Sequence, residues 1–255
     1  MVLSMDRWVG KVAVVTGASS GIGAAIVDQL VEIGLQVVGI ARRVELVEKK
    51  AQELSDKKGK LHPYKADCSK VQEVVKAFSW IEENLGAVNV LVNNAGVAKD
   101  TSLVDGDEED WKSVLDLNVM GLCVATREAI KSMKKHGVNG HIIHINSYCG
   151  HVVPNFPGFN IYPASKHAVT ALTETLRQEL NRLQSKIKVT SVSPGLVTTE
   201  MTSLKKDLDP TIKAIVEKFA ALKPEDIADG VIYALSTPEH VQVHELLIKP
   251  VGELY

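Results

Sequence analysis

Short apolar runs alternate with stretches of helical periodicity from one end of this chain to the other, and few architectures accommodate that pattern. Val12–Val15 is a β-branched run bounded by glycine, which suits a strand buried on both faces of a parallel sheet. Ile22, Ile26, Leu30 and Ile33 follow at helical spacing, and Gly34 stands where a helix would end on a glycine C-cap. The pattern then predicts a strand over Gln36–Ile40, a charged amphipathic helix over Val44–Lys58 and a strand over Leu61–Ala66. Val71, Val74, Val75, Phe78 and Ile81 mark the next helix face. Further strands are predicted at Val88–Val92, His141–Ile145 and Ile187–Val192, separated by long helices near Asp110–Lys135 and Tyr162–Gln184. Leu246–Ile248 is placed to close the sheet.

Strict alternation of this kind implies an α/β fold, a single-domain Rossmann-type doubly wound parallel sheet flanked by helices and spanning residues 1–255. No Pro/Gly/Ser-rich linker or fixed-period repeat divides it. Net charge is −2 and no Lys/Arg block dominates a segment, which argues against nucleic acid or an anionic membrane as partner. Three widely spaced cysteines without a C-x-x-C pair suit free thiols in a reducing compartment. With no signal-peptide pattern and no apolar run of transmembrane length, a cytoplasmic protein without membrane insertion is expected.

Ligands of such sheets bind beyond the carboxyl ends of the strands. The first such position holds Thr16-Gly17-Ala18-Ser19-Ser20-Gly21-Ile22-Gly23, a glycine-rich turn leading into a helix. Glycines let the backbone approach a pyrophosphate, and the helix N-terminus presents free N–H groups to it. A carboxylate at the end of the second strand would bind the ribose hydroxyls of NAD and repel a 2′-phosphate. The chain instead reads Ala41-Arg42-Arg43 there, and guanidinium groups bind phosphate through paired donors. NADP(H) is therefore the expected cofactor, with Ser19 or Ser20 able to add a hydroxyl.

Tyr162 and Lys166 are four apart on a predicted helix and share a face. A neighbouring ammonium and an oxidised nicotinamide would stabilise the phenolate and pull the pKa below its usual ~10. Such a phenol can exchange a proton with an alcohol or carbonyl oxygen. Ser147 directly follows the strand ending at Ile145-Asn146 and can hydrogen-bond the same oxygen. Tyr148 is a rival acid without a lysine four residues on. Asn118 lies inside an apolar helix, where a polar residue marks a satisfied core amide or a bend. His141 and His144, three apart on a strand, point to opposite faces, the wrong geometry for chelation, so no metal is expected.

With these motifs the chain resembles the short-chain dehydrogenase/reductase family over essentially its full length. Thr16–Gly23 matches its coenzyme turn, Asn93-Asn94-Ala95-Gly96 its fourth-strand motif, Tyr162–Lys166 its Y-x-x-x-K, and Pro194-Gly195 the segment after its sixth strand. The resemblance implies a tetrad of Asn118, Ser147, Tyr162 and Lys166, with Asn118 helping to hold a water linked to the lysine. It implies cofactor contacts from Gly17, Ser19, Ser20, Gly21, Ile22, Gly23, Arg42, Arg43, Asp67 (toward adenine), Asn94, Ala95, Gly96, Tyr162, Lys166, Pro194, Gly195, Val197 and Thr199, the last near the nicotinamide carboxamide. It also implies a homodimer or homotetramer, and a variable substrate lid over about residues 199–222 carrying Met201, Leu204, Leu208, Ile212, Ile215 and Phe219. Phe156 and Phe159 offer aromatic walls opposite.

Three further stretches, Gly140–Ser147, Leu222–Asp226 and Val231–Pro238, resemble the animal subgroup that includes insect farnesol dehydrogenases and related terpene-alcohol or steroid ketoreductases. The expected activity is NADP(H)-dependent interconversion of a lipophilic, isoprenoid alcohol such as farnesol and its aldehyde or ketone. A ketoreductase for steroids or small xenobiotic carbonyls and a non-catalytic NADP-binding regulator stand as alternatives.

Overall fold

In a computed structural model, described over residues 3–155, 160–203 and 221–252, the alternating runs become β1 (Val12–Thr16), β2 (Gln36–Ala41), β3 (Lys60–Lys65), β4 (Val88–Asn93), β5 (His141–Ile145), β6 (Lys188–Pro194) and β7 (Glu245–Ile248). They form one parallel sheet in the order β3-β2-β1-β4-β5-β6-β7. The expected single-domain, Rossmann-type fold is present, and Leu246–Ile248 does close the sheet.

Successive side chains of a strand point to opposite faces, and β1 shows how this builds two cores. Ala13 and Val15 enter one layer with Ile26 and Leu30 of α1 (Gly21–Ile33) and Val231 and Leu235 of α8 (Pro224–Ser236). Val12 and Val14 enter the other with Phe78 of α3 (Val71–Asn84), Met133 of α5 (Leu122–Lys135) and Leu180 of α6 (Ile161–Arg182). Each fully buried aliphatic side chain contributes about 1.5–3 kcal/mol. Both faces of β1 are thus committed to apolar packing. Polar chemistry is left to the strand ends.

Gly34 ends α1 as expected, at φ 117°, its N–H donating to the carbonyls of Leu30 and Val31. Two helices depart from their predicted extents. α2 covers Val44–Glu53 and stops short of Lys58. The chain must turn back to enter β3, and Gly59 makes that turn so closely against Leu35 and Val31 that a side chain would not fit. The long helix expected near Asp110–Lys135 is α4 (Glu108–Leu115), a π-helical turn over Asp116–Gly121, and then α5. At its end Gly121 packs against the Cys68 carbonyl, where a Cβ would stand 2.3 Å from the oxygen.

A buried polar chain crosses one core layer. The Asn93 amide donates to Thr126 Oγ1 at 2.8 Å, and His144 bonds Thr126 at 3.3 Å and Thr173 at 2.9 Å. It ties β4, α5, β5 and α6 together. His141 bonds Thr190 of β6 at 2.8 Å. Among the described residues no group of three or more His, Cys, Asp or Glu is arranged to hold a metal, and no described helix is long and apolar enough to cross a membrane.

Burial, with a lesser push from the Lys166 charge, holds His144 down at about 3, against about 6.5 in an unfolded chain. Below the unfolded value the unfolded chain therefore binds a proton that the folded one refuses, so stability falls as the pH drops from about 6.5 toward about 3, by up to about 1.4 kcal/mol per pH unit for one histidine. Urea unfolding from neutral pH down to about pH 5 should show this loss, and a His144→Gln variant should show a shallower one. Parallel profiles in the two proteins would remove His144 from the acid sensitivity.

Candidate active site

The strand order reverses between β1 and β4, and the segments that follow them leave on opposite faces of the sheet, which opens a crevice at their carboxyl ends. Thr16 and Asn94 lock its floor. The Thr16 hydroxyl accepts from the N–H groups of Asn94 and Ala95, each at 3.0 Å, and the Asn94 amide donates to the carbonyls of Thr16 and Gly17 at 3.0 and 3.2 Å. Gly17 has φ +69°, and a Cβ on it would lie 2.9 Å from the Ala95 Cα; one on Gly23 would meet both Asn94 and the Gly17 carbonyl at 2.4 Å. Only glycine fits either place. α1 then starts at Gly21 without a side-chain cap and without an acid in its first turn, so its N-terminal N–H groups are available to an anion. The Ile22 side chain packs on the core beneath.

At the end of β2 it is Arg43 whose guanidinium reaches Ser20, at 3.1 Å, and the same nitrogen lies 2.7 Å from the Glu200 carboxylate. Arg42 turns its charge toward Asp67 and Cys68. The two arginines expected to contact the cofactor thus stand in different surroundings. Burial alone would raise the Asp67 pKa, but two hydrogen bonds from Ser69 and the Arg42 and Lys70 charges outweigh it and leave it lowered. After β6, the Gly195 N–H donates to the Ile248 carbonyl, and the buried Val197 pairs with Leu222. Thr199 follows and lies against Gly21, its methyl 3.3 Å from where a Cβ would stand. Of the residues expected to form a lid or aromatic walls, Leu204, Leu208, Ile212, Ile215, Phe219, Phe156 and Phe159 lie outside the described residues.

The four reacting-group candidates converge at the ends of β4 and β5. Tyr162 and Lys166 occupy successive turns of α6, with the Lys166 Nζ 5.7 Å from the Tyr162 ring centroid. The buried ammonium donates to the Ile145 carbonyl at 2.9 Å. Ser147 hydrogen-bonds the Tyr162 hydroxyl, and its own Oγ accepts from the Cys149 N–H at 3.1 Å. Asn118 stands in the π-helical turn with its amide divided between two neighbours. Its oxygen accepts from the Val97 N–H at 2.8 Å, and its nitrogen donates to the Val97 carbonyl at 2.9 Å and to Ser165 at 3.1 Å. It clamps the loop after Gly96 to α6. Tyr148, the rival acid, lies beneath Lys249, whose ammonium is 3.8 Å from its ring centroid.

Burial dominates the electrostatics of the Tyr162–Lys166 pair. Burial pushes the Tyr162 phenol well above its ordinary pKa, the Cys149 thiol adding to the push and the Ser147 hydrogen bond opposing it. Burial also draws Lys166 down to about 8. The protein surroundings alone therefore favour the neutral phenol, and lowering its pKa requires a further positive charge in the crevice.

A family model described as short chain dehydrogenase matches residues 11–209. The chain is a short-chain dehydrogenase. Among relatives of this family, the chain is 54% identical to the farnesol dehydrogenase of Aedes aegypti, over 98% of this chain and all of that one. It is 44% identical to dehydrogenase/reductase SDR family member 11 of Mus musculus, over 98% of each chain. The structure of an alcohol dehydrogenase from the archaeon Thermococcus sibiricus, complexed with 5-hydroxy-NADP, superposes with a TM-score of 0.84 at 30% identity, covering 96% of this chain and 98% of that one. The subgroup resemblance read from Gly140–Ser147, Leu222–Asp226 and Val231–Pro238 is upheld.

Three features of this short-chain dehydrogenase site carry no signal in the sequence. These are the Glu200 contact with Arg43 and Ser20, the Ile145 carbonyl under Lys166, and the Val97 clamp made by Asn118. Replacing Asn118 by alanine would strip partners from Val97 and Ser165, and each buried polar group left unsatisfied costs about 1–3 kcal/mol. Denaturant unfolding should show Asn118→Ala destabilised by at least that of one group. A variant as stable as the wild type would mean that water replaces the amide without loss.

Proposed function

We propose that this short-chain dehydrogenase uses NADP(H) to interconvert a lipophilic alcohol of the farnesol class and its carbonyl counterpart, with Tyr162 as the proton carrier. The single observation that carries the reading is the convergence of Tyr162, Ser147 and Lys166 beside the glycine turn at one end of the sheet.

The crevice fits a dinucleotide on its own evidence. The Gly17 and Gly23 positions bring backbone where a side chain would block it, and the α1 N-terminus is left without a side-chain cap. The absence of an acid after β2 and the meeting of Arg43 with Ser20 support the 2′-phosphorylated form. The NADP analogue bound by the Thermococcus sibiricus relative agrees with this. When bound, the reduced cofactor supplies the hydride and the oxidised one accepts it. Arg43 and Ser20 would hold its 2′-phosphate, and Asp67, beside Arg42, would face its adenine.

In the reducing direction Tyr162 gives its hydroxyl proton to the substrate oxygen, and the neutral phenol favoured by burial is the form that can do so. Ser147, hydrogen-bonded to that hydroxyl, donates to the same oxygen and steadies the charge that develops there. Lys166, held by the Ile145 carbonyl, supplies a fixed positive charge when the phenol has lost its proton. Asn118 holds the Val97 loop and α6 together, and so would keep the phenol in place against the cofactor crevice. The isoprenoid substrate class rests on the 54% identity to the farnesol dehydrogenase.

Tyr162→Phe keeps the ring and removes the proton. Farnesal reduction followed through NADPH absorbance should then lose at least the ~10²-fold in kcat typical of deleting an acid–base group, with NADPH affinity within a few-fold of wild type. Substantial residual turnover would move the acid to another group, Tyr148 first.

A further inference from the structure

Ser20, Arg43 and Glu200 reach one point from three elements: the residue capping α1, the residue preceding α2, and the first residue of α7 (Glu200–Ser203). One oxygen of the Glu200 carboxylate accepts from Arg43 at 2.7 Å and from Ser20 at 3.1 Å, while Arg43 and Ser20 are 3.1 Å apart. An anionic oxygen held by a guanidinium and a hydroxyl has the same donor set that would hold a phosphate oxygen. The ion pair is open to water, with side-chain exposures of 49% and 54%. One anion can therefore replace another there without stranding a buried charge. Hydrogen bonding by Arg43, reinforced by Ser20, keeps the Glu200 pKa below the usual carboxylate value, so the carboxylate is charged at neutral pH.

We infer that Glu200 is a cofactor-specificity residue whose carboxylate holds the position on Arg43 and Ser20 that the 2′-phosphate of NADP(H) takes. The inference rests on the NADP(H) reading above. A phosphate on this Arg43 nitrogen and the Ser20 hydroxyl competes with Glu200 for the same donors and sets a second negative charge beside the carboxylate, so the phosphate displaces Glu200 on entry. NAD(H), which has no 2′-phosphate, leaves the contact intact. Displacement also bears on the glycine turn itself, because Glu200 directly follows Thr199, which lies against Gly21. The residue thus taxes NADP(H) binding by the strength of one solvent-exposed ion pair.

The test is the equilibrium binding of NADPH and NADH to the full-length protein, read by calorimetry, for the wild type, Glu200→Gln, Arg43→Ala and the double variant. Exposed ion pairs of this kind set the expected gain: Glu200→Gln should bind NADPH about 1.5- to 5-fold more tightly, with NADH unchanged. The gain should shrink as salt is raised and vanish in the Arg43→Ala background. Wild-type preference for NADPH combined with unchanged or weaker NADPH binding by Glu200→Gln would overturn the inference alone, assigning Glu200 to holding Arg43 in place. Equal wild-type affinity for NADPH and NADH, with no effect of Arg43→Ala, would overturn the cofactor reading and this inference with it.

Discussion

A parallel sheet buried on both faces leaves its strands no free surface, and that constraint determines where chemistry can occur in this chain. The alternate residues of β1 are claimed by two apolar layers, and β4 and β5 are buried in the same way. Polar groups that must stay reachable are confined to the segments leaving the carboxyl ends of the strands. At the point where the order reverses, Thr16 and Asn94 join the two diverging segments through hydrogen bonds of 3.0–3.2 Å. This fixes the glycine turn against the loop that Asn118 in turn fixes to α6. Glycine turn, loop and α6 form one connected frame.

Within that frame burial opposes charge on both members of the reacting pair. It raises the Tyr162 phenol and draws Lys166 down to about 8. Neither ion is favourable alone, and each becomes favourable when the opposite charge is near. The Ile145 carbonyl gives the ammonium one fixed partner without neutralising it. Ionisation of the phenol is thereby disfavoured unless positive charge stands near it.

The legible parts of the sequence were those in which fold and site share one short stretch. Thr16–Gly23, Asn93–Gly96 and Ser147 each lie at or just after the end of a strand whose apolar run can be recognised, and Tyr162–Lys166 shares one face of a recognisable helix, so their position in space followed from their position in the chain. Contacts across long separations had no such signal. Arg43 and Glu200 are 157 residues apart, and nothing in either neighbourhood distinguishes Arg43 from Arg42. The π-helical turn was hidden inside a continuous helical periodicity, and the close packing of Gly121 against Cys68 at its end is a contact between residues far apart in the chain. The rise in the Tyr162 pKa was hidden as well, since spacing reveals the neighbouring lysine but not the loss of solvent.

Lys166 is the fixed charge on which this account of Tyr162 turns, and the pH dependence of alcohol oxidation reads it most directly. The measurement is kcat/KM for farnesol with NADP+ across pH, in the wild type and in Lys166→Met. The wild-type rate should rise with pH through an inflection below the ~10 of an unperturbed tyrosine, displaced to higher pH in Lys166→Met. An inflection at the same pH in both proteins would contradict it, because the ionising group would then not sense the lysine.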